Sequence, residues 1–221
     1  MVDLINEIDY FKKRQLNDEK RVASFKQEGK LIKMFEGEGG RICDIGCSTG
    51  EFIEAIDWKG PKYGMELSEF AIDESKSRGI CFEKNILTER SYFDAIIMRG
   101  VIQHLEAPFE YLKKSHTSLK EGGHLYILAT PNAGSVYYKI HESLPCLNYS
   151  KTHFYIPSVK TLCNVLDTYG FEITVVELPY LSSPYSNVGV DHISFIASLI
   201  TRRPPKTAFW GNMMNIVATK V

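Results

Sequence analysis

Asp44, Gly46 and Gly50 are the residues whose types and spacing speak most directly to chemistry. They lie in Arg41-Ile-Cys-Asp-Ile-Gly-Cys-Ser-Thr-Gly50, a short apolar run, an acid and a glycine turn, followed by the helical pattern Glu51-Phe-Ile-Glu-Ala-Ile56. A loop of this kind lies beyond the carboxyl end of a strand, where open α/β sheets bind nucleotides. Glycine reaches positive φ at little cost and lets a ligand approach bare backbone. A dinucleotide fingerprint, Gly-x-Gly-x-x-Gly, faces pyrophosphate. Here its first glycine falls on Asp44, a carboxylate where an anion would sit. Asp-x-Gly-x-x-x-Gly instead suits a cofactor with no phosphate and a cationic end. Glu66 follows 22 positions later (66 − 44), at the end of the short strand pattern Pro61-Lys-Tyr-Gly-Met-Glu66. An acid there can accept hydrogen bonds from both ribose hydroxyls. It also stands ahead of Ser68, a residue type that caps helices, and the two roles are compatible.

The elements that must hold these residues alternate. Strand patterns lie near 41–45, 61–65, 80–83, 93–98, 124–130, 171–178 and 213–219, with helical patterns between them. Such alternation implies a mainly parallel sheet covered on both faces. Residues 1–36 are charged and amphipathic, ending in Leu31, Ile32, Met34 and Phe35, and read as one or two helices ahead of the sheet.

Further pieces follow in order. Ile80-Cys-Phe-Glu-Lys-Asn85-Ile86 is a short strand and polar turn, and Tyr92-Phe-Asp-Ala-Ile-Ile-Met98 is a buried strand followed by Arg99-Gly-Val-Ile-Gln-His-Leu105. Glu121-Gly-Gly-His-Leu-Tyr-Ile-Leu-Ala-Thr-Pro-Asn132 is a glycine turn, a strand and a Pro-Asn ending. Together with the Asp44 loop and Glu66, this set resembles class I S-adenosylmethionine (AdoMet) methyltransferases of the small-molecule branch, in their ubiquinone/menaquinone-type and sugar-pathway-like forms. The resemblance covers residues 40–132 at motif level and extends more weakly from Tyr155 to Glu177. It implies a Rossmann-like α/β fold, with seven mostly parallel strands, helices on both faces and an antiparallel last strand. It implies AdoMet as cofactor and S-adenosylhomocysteine as product. It places Asp44, Gly46, Cys47, Gly50, Glu66, Leu67, Asn85, Ile86, Arg99 and Gly100 around the cofactor. Asn85 would meet the adenine amino group, or would serve only as a polar turn residue.

His104 is the leading catalytic candidate, a histidine just after the fourth strand that titrates near neutrality and would take a proton from a hydroxyl acceptor. It would otherwise pack on the cofactor. His141 and His153 are reserve bases. Arg99 would hold an anionic substrate group or form a structural salt bridge. Residues 133–157 and 180–211 break the regular pattern, and long loops in a compact domain tend to be functional. They would build the acceptor pocket, with Arg99, Tyr137, His141, His153, Tyr185 and Trp210 as acceptor-binding residues; the same aromatics would equally serve as cover over the sheet. Residues 1–36 would form a helical cap over AdoMet or a plain packing helix.

Composition bounds the remaining readings. With 221 residues, 44% hydrophobic and 24% charged, one methyltransferase domain spanning 1–221 is expected. Net charge is −1 and no basic tract appears, which argues against a nucleic-acid substrate. The five cysteines form no C-x-x-C pair, so no metal site is expected. Their odd count suits reduced thiols in a cytoplasm. No run is long and apolar enough to span a bilayer; residues 190–199 are apolar but hold Asp191 and His192. The expectation is a cytoplasmic enzyme, without membrane insertion and of open oligomeric state. It would methylate a small-molecule acceptor, an oxygen of a sugar or related polar metabolite in a bacterial surface-polysaccharide pathway. An N-methyltransferase on an amino sugar or amine, and a non-catalytic AdoMet-binding protein, are the alternatives. A NAD-dependent dehydrogenase, whose glycine pattern is absent, separates from the non-catalytic AdoMet binder by titration with AdoMet and NAD.

Overall fold

The computed structural model describes residues 19–142, 155–204 and 207–221. Helix α1 (Glu19–Glu36) leads into β1 (Ile42–Ile45), α2 (Glu51–Ala55), β2 (Lys62–Met65) and α3 (Glu69–Ser77). Then come β3 (Phe93–Arg99), a 3-10 turn (Ile102–His104), α4 (Pro108–Ser118) and β4 (Leu119–Pro131). Helices α5 (Val136–His141) and α6 (Val159–Thr168) precede β5 (Phe171–Glu177), α7 (Val188–Thr201) and β6 (Met213–Lys220).

The strands form one sheet in the order β2-β1-β3-β4-β6-β5. Strands β2, β1, β3 and β4 are parallel, and β6 runs antiparallel between β4 and β5. The α/β class, the mostly parallel sheet and the reversed last strand agree with the sequence reading. The strand count does not: six strands form among the described residues, not seven. The pattern at 80–83 is reduced to a single parallel bridge, Tyr63 to Cys81. Its partner β2 has only four residues. After Cys81 the chain meets Asn85, whose side chain accepts from Leu87 N (2.9 Å) and turns it away. In the other direction, β4 is longer than the pattern near 124–130, because the expected Gly-Gly turn stays within the strand, Gly122 taking φ 72°.

Side-chain alternation along β3 sorts the core into two halves. Ile96 and Met98 face one cluster, with Leu112 of α4 and Leu162 and Leu166 of α6. Ala95 and Ile97 face the other, with Phe25 and Ile32 of α1 and Phe52 and Ile53 of α2. Each fully buried aliphatic or aromatic side chain contributes about 1.5–3 kcal/mol. This two-sided burial covers both faces of the sheet and leaves the ends of its strands for a ligand. Among the described residues no helix is long and apolar enough to cross a membrane.

Candidate functional site

The carboxyl ends of β1, β3 and β4 and the start of β6 meet on one edge of the sheet. The loop after β1 is built by hydrogen bonds to β2: Gly46 N and Cys47 N donate to Met65 O at 2.7 and 3.2 Å. Gly46 (φ 72°) packs so closely on the turn after β3 that a Cβ there would lie 2.6 Å from Val101 Cγ2. Gly50 (φ 81°) meets Ile80 and Ser75, with a Cβ position 2.8 Å from Ile80 Cδ1. Both glycines therefore answer to conformation and to space, as the spacing suggested.

Asp44 is 2% exposed at the floor of this loop, and its Oδ1 has no hydrogen-bond partner. Burial, offset in part by Arg99 and reinforced by Glu66, pushes its carboxyl up to about 8. A buried orphan acceptor is costly unless something fills it. A cationic amine suits it, and the amino end of AdoMet is such a group. Glu66 binds the loop from the other side: Oε2 accepts from Ser48 N (2.9 Å), and Oε1 from Leu67 N (2.7 Å) and Ser68 N (3.1 Å). Ser68 caps α3 by accepting from Ala71 N. The cap is thus supplied by Ser68, while the Glu66 carboxylate accepts from backbone N–H groups of both loops. Glu66→Ala is expected to weaken AdoMet binding by about 1.5–3 kcal/mol, the range for hydrogen bonds to a charged group. Calorimetry checks this, and a melting curve without ligand separates the share that comes from the loop. Unchanged affinity in the folded variant would leave Glu66 as a turn acid only.

The remaining expected cofactor residues are distributed as follows. Cys47 is buried and lines the loop cavity, and burial together with Asp44 and Glu66 pushes its thiol up, so it is an apolar wall rather than a nucleophile. Leu67 is almost fully exposed at the mouth of the turn. Asn85 is half-buried with its Oδ1 engaged in the local turn. Ile86 is buried in the core beside Cys43 and Ile45. Gly100 (φ 61°) turns the chain after β3.

Arg99, at the end of β3, is the hinge of the site. Its Nε and Nη2 bond Glu28 of α1 at 2.5 and 3.2 Å, and its guanidinium lies over Phe25 at 4.4 Å. The salt-bridge alternative is realised, yet Arg99 also lines two cavities. The smaller, about 40 Å³, lies between α1 and the glycine loop and includes Arg21, Phe25, Asp44, Gly46 and Phe52. The larger, 190 Å³, lies on the other side of Arg99. It is lined by Ser24 and Glu28 of α1, Ala129 of β4, Glu177 of β5, Tyr185, and Asn215 of β6 among others. Ala129 sits at φ 48° where the β4–β6 register shifts. Backbone strain and bulges of this kind gather at functional sites.

Of the expected acceptor residues, the fold brings Arg99 and Tyr185 to the larger cavity. Tyr137 is fully buried against Phe195 of α7, at 6.2 Å between rings. His141 Nε2 bonds Ser198 Oγ of α7 at 2.9 Å. Trp210 lies on Tyr180 at 4.3 Å. These three pack the second insertion instead of lining that cavity, which is the cover role. His153 lies outside the described residues. His104 ends the 3-10 turn, half-buried, three residues beyond Val101, the residue that packs on Gly46, and it lines neither of the two cavities. Among the described residues no cluster of His, Cys, Asp or Glu suits a metal ion. The sequence reading missed Glu28, Glu177 and Asn215. Asn215 Oδ1 accepts from the strained Ala129 N at 2.9 Å, a contact between distant strands that no local pattern signals.

A family model described as a methyltransferase domain matches residues 14–176. Among relatives, the chain is 24% identical over 164 residues to the tRNA U34 carboxymethyltransferase of Haemophilus influenzae, covering 67% of this chain and 50% of that protein. It is 32% identical over 124 residues to the human protein named "Probable tRNA methyltransferase 9B", covering 53% and 26%. A SAM-dependent methyltransferase structure from Archaeoglobus fulgidus superposes with a TM-score of 0.65 at 20% identity, covering 96% of this chain and 99% of that one. This last likeness bears on the fold alone. The chain spans about half the length of the Haemophilus relative. These relatives overturn the exclusion of nucleic acid, since two are named for action on tRNA. The exclusion counted cations contiguous in sequence, whereas a fold gathers them from separate segments. Arg41 and Lys84 illustrate this: both lie over the Tyr92 ring at 4.6 Å.

Proposed function

The chain belongs to this family and carries an AdoMet-dependent methyltransferase domain, and we propose that it methylates an oxygen of a sugar-like polar ring held in the cavity beyond Arg99. The observation that carries this reading is that Arg99 lines both the Asp44 loop and a 190 Å³ cavity on its far side. Donor and acceptor would then share one wall, the arrangement that alignment of reacting groups requires. AdoMet, when bound, supplies a methyl group already activated on its sulfonium. The protein's part is to bind, align and deprotonate. Asp44 holds the cofactor's cationic end, Glu66 its ribose, and the Arg99–Glu28 pair fixes the wall. Glu28, Glu177 and Asn215 offer acceptors and a donor to a polyhydroxylated ring. His104, three residues after the Val101 that packs on Gly46, is the proposed base.

Helix α1 borders this site, where its proposed role is that of a cap. Arg21 bonds Glu51 at 2.8 Å, and Phe25 meets Phe52 edge-on at 5.5 Å. The cavity beneath has room for only a water or so. The contacts of α1 over the glycine loop support its role as a cap.

A second reading, a nucleotide in tRNA as acceptor, is favoured by the names of the relatives. Formation of S-adenosylhomocysteine from AdoMet with nucleotide sugars and, separately, with tRNA lacking its modifications decides between them. Turnover with a sugar only supports the first reading. Turnover with tRNA only replaces it.

A further inference from the structure

Helix α7 is built inside out. Its inward positions are polar: Asp191 is 2% exposed and accepts from Tyr180 OH (2.9 Å), and Ser198, equally buried, pairs with His141. The apolar inward residue is Phe195, stacked on Phe209 at 4.1 Å. The outward positions carry Val190, Ile193, Ile196 and Ile200, spaced by three or four residues so that they form one stripe. Ile193 is 71% and Ile200 80% exposed. Leu199 adds to the stripe, and α5, which packs on α7 through Tyr137 and His141, adds exposed Val136 and Ile140. Large apolar side chains exposed along one helix face in this way mark an interaction surface.

Its charges say what it meets. Lys139 on α5 and Arg202 and Arg203 at the end of α7 are exposed beside it. The only exposed acid on these two helices and their caps is Glu142; the one acid within α7 is the buried Asp191. A two-fold contact with a second copy must be self-complementary, and here it would bring cations together with almost no acid to receive them. An apolar stripe rimmed by cations is instead the pattern of a helix lying in the plane of an anionic lipid surface. At 14 residues α7 spans about 21 Å, enough to lie on a bilayer and too short to cross it. Ser183 and Tyr185, which line the larger cavity, lead directly into α7.

We propose that the outward face of α7, with Val136 and Ile140 of α5, docks on an anionic lipid surface and so sets the larger cavity beside the membrane interface. The inference does not depend on which acceptor the cavity takes.

The test is co-flotation of the full chain with vesicles of phosphatidylcholine containing phosphatidylglycerol, against phosphatidylcholine alone. Flotation is expected with the anionic vesicles and falls as salt is raised. Ile193→Ser with Ile196→Ser should lower it by about tenfold or more, through lost apolar burial. Arg202→Gln with Arg203→Gln, confined to exposed positions, should lower binding to anionic vesicles to the level on neutral ones. AdoMet affinity, measured on both variants, should match that of the unsubstituted chain and so certifies their fold. Absence of flotation with anionic vesicles overturns the proposal. So does a dimer in sedimentation velocity that the isoleucine variant converts to monomer, since the face would then belong to a second copy.

Discussion

Asp44→Ala is expected to weaken AdoMet binding by about 150- to 5,000-fold, corresponding to the roughly 3–5 kcal/mol lost when one partner of a buried charge pair is removed. Asp44 is buried, its Oδ1 has no partner, and it lies at the floor of the loop that Glu66 holds in shape. The same burial produces a pH signature. Desolvation raises its carboxyl from 3.8 to about 8, with Arg99 opposing and Glu66 adding to the shift. The folded chain therefore holds a proton that the unfolded chain has lost, and raising the pH from about 4 towards 8 removes stability from the ligand-free protein. A bound cation favours the carboxylate, so AdoMet affinity should rise with pH up to about 8, and binding below that value should release a proton. Calorimetry in buffers of different ionisation enthalpy reads this release directly. Binding heats that do not depend on the buffer, together with unchanged affinity in Asp44→Asn, would remove Asp44 from the cofactor site.

His104→Ala should lower kcat by about 10²–10⁴-fold on a hydroxyl acceptor while leaving AdoMet affinity nearly intact. The histidine ends a 3-10 turn that follows Val101, the residue packed on Gly46. The rate of the unsubstituted enzyme should rise with pH across the histidine range, because only neutral imidazole accepts the proton. The variant should lose that dependence. If His104 merely packs on the cofactor, affinity falls in place of kcat and the pH profile keeps its shape. A near-normal kcat in His104→Ala on the true acceptor rejects the base assignment. The measurement follows identification of the acceptor by the S-adenosylhomocysteine screen.

Legibility along the chain followed the range of the interactions concerned. The loop from Asp44 to Gly50 could be read because a strand, a positive-φ turn and a helix start are local events, each with its own residue types. Gly46 and Gly50 have the conformations that their spacing implied. Glu66 was legible for the same reason, as an acid ending a strand. The strand at 80–83 was over-read: a short apolar run has strand character, but only a partner with free backbone groups makes it one, and β2 offers two hydrogen bonds to Cys81. Tyr137, His141 and Trp210 were open, from their type, to an acceptor role or to a cover role over the sheet, and type alone does not say which way a side chain faces.

The sequence by itself determined the α/β class and the turn from Asp44 to Gly50, because periodicity and turn chemistry act over a few residues, while the reversed final strand followed from the family resemblance alone. Tertiary structure decided the rest. Glu28 and Arg99 meet across 71 positions, and Ala129 and Asn215 across 86, so the wall and the floor of the larger cavity exist only once the sheet is assembled. The orientation of α7 was decided in the same way. Its apolar composition alone would place it in a core, but the hydrogen bonds of Asp191 to Tyr180 and of Ser198 to His141 hold its polar side inward. A buried polar group left without a partner costs more than an exposed isoleucine, so satisfying those two side chains turns the apolar stripe outward.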